Sequence, residues 1–358
     1  MDNGGPRVMI DPLQMAEEGP RVLFVYLDPH PSHRGFAEAV GSDFWHYNRY
    51  LNKSKMPKIL KSFVNGISLP RYEIYLTEGG APLAPVAVKK LIHKNNIHVN
   101  IIADETFMMM RETPKEMSHN YRSYVNLAHK FASKYIDGAI AVSELAKSNA
   151  EEFVDIPIRI AHPYIEDELY KRISGIHPNI EGHTILSIGH GTYPRKGMDI
   201  LIEAFKLVRD QYNDAELYII GKGHPRGWND IDGVHVEGYV KDLTQYFKNS
   251  SVFVQASRVV DTFPVATLES LRSGLPTIVT DLVGTKEVIQ DLDSNFIRKV
   301  DAEAISEAIL FYFDLSASKK AALSLKSKEI SKKFNREEMC GLFRREFDLL
   351  LEEIGVRT

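Results

Sequence analysis

Cysteine is almost absent from this chain: Cys340 is the only one in 358 residues. A single thiol excludes an intrachain disulfide framework and a cysteine-ligated zinc cluster. No apolar run approaches the roughly 18 residues of a membrane span. Residues 1–19 lack the basic start and long apolar stretch of a secretory leader, and are expected to form a tail. Net charge is also scarce. The 44 Lys and Arg against 48 Asp and Glu leave −4, which argues against bulk nucleic-acid binding. No period of about 20–50 residues repeats, so a solenoid is not expected. His30 and His33 lie three apart without a third ligand, so the histidines offer no clear metal set. The expected setting is reducing and cytoplasmic.

What is present is an ordinary globular mix, 44% hydrophobic and 26% charged. At about 100–200 residues per domain the length suggests roughly two domains. Short runs rich in Val, Ile and Tyr read as buried strands: RVLFVYL (21–27), YEIYL (72–76), HVNIIA (98–103), GAIAVS (138–143) and IRIAHP (158–163). Helical patterns at 82–94 and 144–153 lie between them. The same grammar restarts with TILSIG (184–189), AELYIIG (215–221), VHVEG (234–238), SVFVQAS (251–257) and PTIVT (276–280), with helices at 198–212 and 264–273. Alternating strands and helices predict parallel sheets with helices on both faces. The expected fold class is α/β, with two Rossmann-like domains facing across a cleft. The expected division is a tail at 1–19, a first domain at 20–170, a linker at 171–182, a second domain at 183–334 and a final helix at 335–358. In that helix Met339, Leu342, Phe343, Phe347, Leu350, Leu351 and Ile354 mark one apolar stripe. Asn335 is the expected N-cap, with Glu338 reaching back. A helix this long can cross back onto the first domain.

In open α/β sheets ligands sit beyond the carboxyl ends of the strands, so the loops there carry the chemistry. After TILSIG comes His190-Gly191-Thr192-Tyr193-Pro194-Arg195-Lys196-Gly197, then a helix. A glycine-containing turn with two cations at a helix start suits a diphosphate, although an exposed basic turn reads the same way. Asp261 precedes another helix, with Pro264 suited to its first position, and Glu269 projects from that helix. Two such carboxylates can flank a pocket and accept hydrogen bonds from sugar hydroxyls. Alternatively Asp261 merely favours the helix dipole and Glu269 is a solvated face. Gly284 opens a third strand–helix loop, and Gly221-Lys222-Gly223 lets a ligand approach the backbone.

The order of these pieces resembles the retaining glycosyltransferases of the GT-B fold, specifically glycosyltransferase family 4. The match is carried by IGHGTYPRKGMDILIEAF, ELYIIGKG, VHVEGYV and SVFVQASRVVDTFPVATLESLRSGLPTIVTDLVGTKEVI, over most of residues 184–290. The first half matches in outline, through YEIYLTEGGAP, IIADETF, GAIAVSE and RIAHPYIEDELY. The resemblance implies a hexosyltransferase-type enzyme using a nucleotide-diphosphate sugar as co-substrate, with no cofactor and no metal. It implies that Lys196, Arg195 and Asp261 are catalytic. Gly189, His190, Gly191, Gly223, Val240, Thr262, Phe263, Pro264, Val265 and Glu269 would bind the donor, with Glu269 on the ribose and Val240 near the base. Asp261 stands where the family has Glu, and His190 where it has Arg, leaving Arg195 as the candidate substitute. On the acceptor side it points to His33, Arg34 and Gly35 after the first strand, and to Glu78 and Gly79. Asp104 and Glu105 stand where the family carries a His.

Partners implied are a nucleotide sugar and a glycan, lipid-linked or small-molecule acceptor, with no nucleic acid. The basic, apolar-interleaved stretch 49–61, with Arg49, Lys53, Lys55, Lys58 and Lys61, is a candidate peripheral membrane contact on the inner face. A solvated basic face is the competing reading. An NAD-dependent dehydrogenase would need GxGxxG after the first strand, and the loop there, Asp28 to Gly35, lacks it. Asp230-Ile231-Asp232 and Asp291-Leu292-Asp293 have the spacing of a metal-binding pair but read as solvated acids. The changes at His190, Asp104 and Asp261 keep open a catalytically impaired subunit that binds nucleotide sugar or glycan.

Overall fold

The computed structural model describes residues 20–47, 55–104, 106–111, 124–190 and 194–356. The expected tail 1–19, Arg49 and Lys53 of the basic stretch, and the site candidates Glu105 and Gly191 lie outside them.

Among the described residues twelve strands form two six-stranded sheets. The first holds β1 (Val22–Tyr26), β2 (Asp43–His46), β3 (Ile74–Glu78), β4 (Ile97–Ile102), β5 (Gly138–Ala141) and β6 (Ile158–Ile160), in the order β2-β1-β3-β4-β5-β6. The second holds β7 (Thr184–Ile188), β8 (Glu216–Ile220), β9 (Val234–Glu237), β10 (Val252–Gln255), β11 (Thr277–Thr280) and β12 (Ile297–Arg298), in the order β12-β11-β10-β7-β8-β9. Every pairing is parallel. Parallel strands are covered on both faces, so they need continuous apolar runs. Phe24, Leu76, Val99, Leu186, Ile219 and Val254 are accordingly buried. β2 and β12 were not foreseen. Both are edge strands: β2 is half-exposed and β12 is two residues long, so neither carries an apolar run.

The strand orders locate the crevice. In the first sheet the chain runs from β1 to β2 on one side and returns to β3 on the other. In the second it runs β7, β8, β9 and returns to β10 on the far side of β7. Ligands sit at such reversals, outside the carboxyl ends. The loops after β1 and β3 therefore face those after β7 and β10.

The final helix, Arg336–Glu353, packs on the first half. The Phe343 ring stacks on Phe36 at 4.5 Å with the planes 4° apart. Arg159 reaches Glu346 at 3.3 Å and Glu353 at 3.0 Å. Burying Phe343 contributes about 2–3 kcal/mol, more than these part-exposed ion pairs. Asn335 caps the helix through the Glu338 amide at 3.0 Å. The Glu338 carboxylate bonds back to the Asn335 side-chain amide at 3.1 Å, rather than to a backbone N–H. The segment 171–182 holds the end of the Asp167–Ser174 helix and the turn into β7.

Candidate functional site

Two loops of the second half are clasped by their backbones. Pro194–Lys196 form one 3-10 turn, and Gly197 follows with φ 63° before the Met198–Arg209 helix. A Cβ on Gly197 would lie 1.8 Å from the Ala256 carbonyl oxygen, so only glycine fits. The Arg258 N–H donates to the Arg195 carbonyl at 2.7 Å. The turn after β7 thus lies against the segment after β10. A Cβ on Gly284 would sit 1.7 Å from the Thr262 carbonyl oxygen, which brings in the loop after β11.

Asp261 is the hub. Its Oδ2 lies 2.5 Å from Lys196 Nζ and accepts from Ser257 Oγ at 3.0 Å and Gln255 Nε2 at 3.4 Å. Burial lowers the Arg195 pKa, and the carboxylates of Asp261 and Asp104 oppose that shift. Arg195 therefore feels both walls of the cleft. Glu269 sits half-buried on the Val265–Ser273 helix. Desolvation pushes its carboxyl up to about 7. It has no hydrogen-bond or ion-pair partner among the described residues, which suits it to accept from hydroxyls of a ligand. The helix begins at Pro264 without a side-chain cap, leaving its first amides available to an anion.

The other donor-side candidates border these loops. Gly189 packs under Lys196, its would-be Cβ 3.1 Å from Cγ of that lysine. His190 is exposed, and its Nδ1 accepts from the Lys222 N–H at 3.3 Å. Gly223 turns at φ 85°, and Val240 is half-buried after β9. Thr262, read as a donor-binding residue, lines the cavity and also joins the two halves. Its hydroxyl donates to the Ala103 carbonyl at 2.7 Å, and its carbonyl accepts from Ser143 Oγ at 2.7 Å.

Across the cleft, His33 Nδ1 lies 2.5 Å from Glu78 Oε1, which also accepts from the His30 N–H at 3.3 Å. His33 is buried and its Nε2 has no hydrogen-bond partner among the described residues. Burial, then the neighbouring His33, lowers the His30 pKa to about 4. Asp104 fixes two backbones, accepting from Gly80 N and Thr106 N, each at 3.0 Å. Gly79 turns at φ 62° directly against that carboxylate. These groups meet in a cavity of about 470 Å³ lined by Asp28, His30, His33, Glu78, Asp104 and, from the second half, Asp261–Val265.

Two acceptor-side expectations need correction. Residues 31–39 are a helix, Pro31–Ala39, not a loop, because Pro31 suits a first helical position. Gly35 there faces the Tyr164 hydroxyl, 2.1 Å from a would-be Cβ, so its smallness serves packing. Arg34 leaves the cleft, pairing with Glu38 at 3.4 Å and lying over the Phe44 ring. Asp232 pairs with Arg209 and Asp293 caps Asn295, away from the cavity. A hollow of about 590 Å³ between Val22, Asp43, Ile74 and the final helix lies at the amino ends of β1–β3, the wrong end for a ligand.

Sequence reasoning missed the seam beside the cavity. Phe263 stacks on His162, centroids 5.0 Å apart. His162 Nδ1 lies 3.0 Å from the Val142 carbonyl and 3.3 Å from Glu287 Oε1. Burial lowers the His162 pKa and pushes Glu287 up to about 7. Glu287 Oε2 accepts from the Glu144 N–H at 3.0 Å. Ser143 caps the Glu144–Glu151 helix, a signal visible in the sequence as Ser before a helical run. The pairing of His162 with Glu287 had no local signal.

Residues 182–314 match the family model described as glycosyl transferases group 1. A phosphatidyl-myo-inositol mannosyltransferase of Mycobacterium leprae is 26% identical over 186 residues, covering 49% of this chain and 49% of that protein. The chain spans about half the length of the curated relatives it matches first. Among solved structures, sucrose-phosphate synthase from Thermosynechococcus elongatus superposes with TM-score 0.68 at 15% identity, over 93% of this chain and 100% of that one. HepE of Anabaena, solved with UDP, superposes with TM-score 0.66 at 14% identity, over 92% and 100%. The chain therefore has the two-sheet GT-B fold, and its second half is similar to the group 1 glycosyl transferases.

Proposed function

We propose that the chain transfers a sugar from a nucleoside-diphosphate sugar to a glycan, lipid-linked or small-molecule hydroxyl, with retention of configuration and without a metal. The observation that carries this reading is the Lys196–Asp261 pair, 2.5 Å apart between two helix beginnings, at the edge of a cavity whose far wall is the first half. The similarity of residues 182–314 to group 1 glycosyl transferases supports it. So does the nucleotide named with HepE, a structure of the same fold.

Breaking a sugar–phosphate bond builds negative charge on the leaving diphosphate. Lys196, Arg195 and the amides opening the Met198–Arg209 and Val265–Ser273 helices would stabilise that charge. Each donor is worth roughly 3–4 kcal/mol of barrier, by analogy with oxyanion-hole donors. Glu269 would accept from the ribose hydroxyls, with Gly189, His190, Gly223 and Val240 around the nucleoside. Asp261 would contact the transferred sugar, and His33, Glu78 and Asp104 the acceptor. A front-face path, in which the leaving phosphate helps deprotonate the acceptor, requires no protein nucleophile.

The alternative is a subunit that binds the nucleotide sugar without turning it over. The hold of Lys196, Ser257 and Gln255 on one Asp261 oxygen favours it. A panel of UDP-, GDP- and ADP-sugars separates the two. One donor should raise the melting temperature, by the equivalent of about 2.7 kcal/mol at a hundred times its Kd. It should also be hydrolysed or transferred, in EDTA as well as without it. Lys196→Ala and Glu269→Gln should lose both effects. Undiminished turnover by both variants rejects the site, and binding without turnover selects the subunit.

A further inference from the structure

The Lys58–Ser68 helix is turned inside out. It buries Ser62, Asn65 and Gly66. It exposes Ile59 at 58%, Leu60 at 47%, Phe63 at 51%, Val64 at 37% and Ile67 at 50%. These apolar positions recur at one-, three- and four-residue steps and form one stripe. The facing is fixed from the inside. A Cβ on Gly66 would lie 2.5 Å from the Pro85 carbonyl oxygen, and Ser62 Oγ bonds the Tyr124 hydroxyl at 2.9 Å. The helix packed beneath it, Leu83–Ile92, exposes Leu91 and Ile92. The next segment, Val125–His129 continuing as Lys130–Ser133, exposes Leu127 and Phe131. Soluble monomers rarely show apolar surface on this scale without a use for it.

The charge around the stripe names the use. Residues 55–71 carry Lys55, Lys58, Lys61 and Arg71 and no Asp or Glu, and 83–94 and 124–134 carry no acid either. The whole chain is net −4, so this face inverts the charge of the molecule. We infer that this face lies on an anionic lipid bilayer, with Ile59, Leu60, Phe63, Val64 and Ile67 in the interface and the lysines at the headgroups. A second copy of the chain would set lysine against lysine with no acid between them, because a two-fold contact presents the same patch twice. The described part of the candidate contact at 49–61 thus extends to residue 68, with its apolar side outward.

The face also bears on the cleft. The Leu83–Ile92 helix starts three residues after Gly80, whose N–H is held by Asp104 in the cavity wall. A lipid-linked acceptor would meet the cleft from the bilayer surface. That consequence rests on the transfer reading, whereas the bilayer contact is read without donor or acceptor.

Co-sedimentation with vesicles of phosphatidylcholine, alone or mixed with phosphatidylglycerol, tests it. At roughly fivefold for each of three surface lysines, binding should be about a hundredfold tighter to the anionic vesicles and weaken with salt. Phe63→Gln with Ile67→Gln should weaken it at least about tenfold. Lys55→Gln with Lys61→Gln should remove most of the preference for anionic lipid. The pairs change side chains that are exposed or, at Lys61, half-buried, so melting temperatures and any donor-induced shift should stay put, which separates failure here from failure of the nucleotide site. Absence of wild-type binding, or equal binding by the variants, overturns the proposal. So does a wild-type dimer that Phe63→Gln with Ile67→Gln turns into a monomer.

Discussion

The two halves share one plan, a six-stranded parallel sheet whose strand order reverses beside the cleft, yet they build their walls differently. The second half clasps backbone to backbone, with Gly197 against Ala256 and Gly284 against Thr262. The first half joins side chain to side chain and side chain to backbone, His33 to Glu78 and Asp104 to Gly80 and Thr106. A backbone clasp fixes the position of helix beginnings and of a lysine, which suits a ligand part that never varies, such as a diphosphate. A wall of side chains can change without disturbing the backbone, which suits a part that differs between relatives.

The contrast breaks most readily at the glycines. Gly284→Ala should destabilise by about 3 kcal/mol or more, since its Cβ meets a backbone oxygen that cannot yield. Gly35→Ala meets a tyrosine hydroxyl and should cost about 1–2 kcal/mol. Gly175→Ala, with nothing nearby, should stay within about 0.5 kcal/mol. Urea midpoints rank them, and equal losses at 284 and 35 would erase the distinction.

Turnover sharpens it next. Lys196→Ala should lower kcat about a hundredfold or more and weaken nucleotide binding. Glu78→Gln, which frees His33 from its carboxylate partner, should cost about tenfold and leave nucleotide binding unchanged. Steady-state kinetics beside nucleotide-induced melting shifts read both. Equal loss of nucleotide binding would place both walls on the donor.

This difference also governs what the sequence disclosed. Ten of the twelve strands are legible as apolar runs, and the missed β2 and β12 lie at sheet edges, where such runs are not needed. Gly197, Lys196, Asp261 and Gly284 fall in short loops at fixed spacing, and a backbone clasp leaves that kind of trace. His33 and Glu78 are 45 residues apart, and Thr262 and Ser143 are 119 apart. Each is an ordinary polar residue locally, and only the folded sheets bring them together. The residues up to Gly35 read as the loop that follows the first strand, whereas Pro31 begins a helix and Gly35 admits Tyr164.

A pH effect of intermediate size follows from Glu269. Its carboxyl sits at about 7 in the folded chain, raised by desolvation, against the ordinary value near 4.3 when unfolded. The folded state therefore binds the extra proton between those values. The stability it contributes is complete below about pH 4 and is lost as pH rises through 7. Glu287 acts in the same direction. Glu269→Gln should flatten the fall by no more than about 4 kcal/mol, less any solvent screening. Melting curves from pH 4 to 8 read this, and an unchanged slope would mean the carboxyl is not desolvated. Ribose hydroxyls favour the charged carboxylate, so stabilisation by nucleotide should grow toward pH 7.

A smaller effect lies at the clasp between the halves. Ser143→Ala removes the bond to the Thr262 carbonyl and the cap of the Glu144–Glu151 helix, and should cost about 1–2 kcal/mol in a urea titration.

The most direct test of the central claim is a crystal structure with a nucleoside diphosphate bound. The diphosphate should lie within about 3 Å of Lys196 Nζ and of the amides that follow Pro264, with the ribose hydroxyls on Glu269. A diphosphate seated in the hollow between β1 and the final helix, or held by the first half alone, would contradict the account.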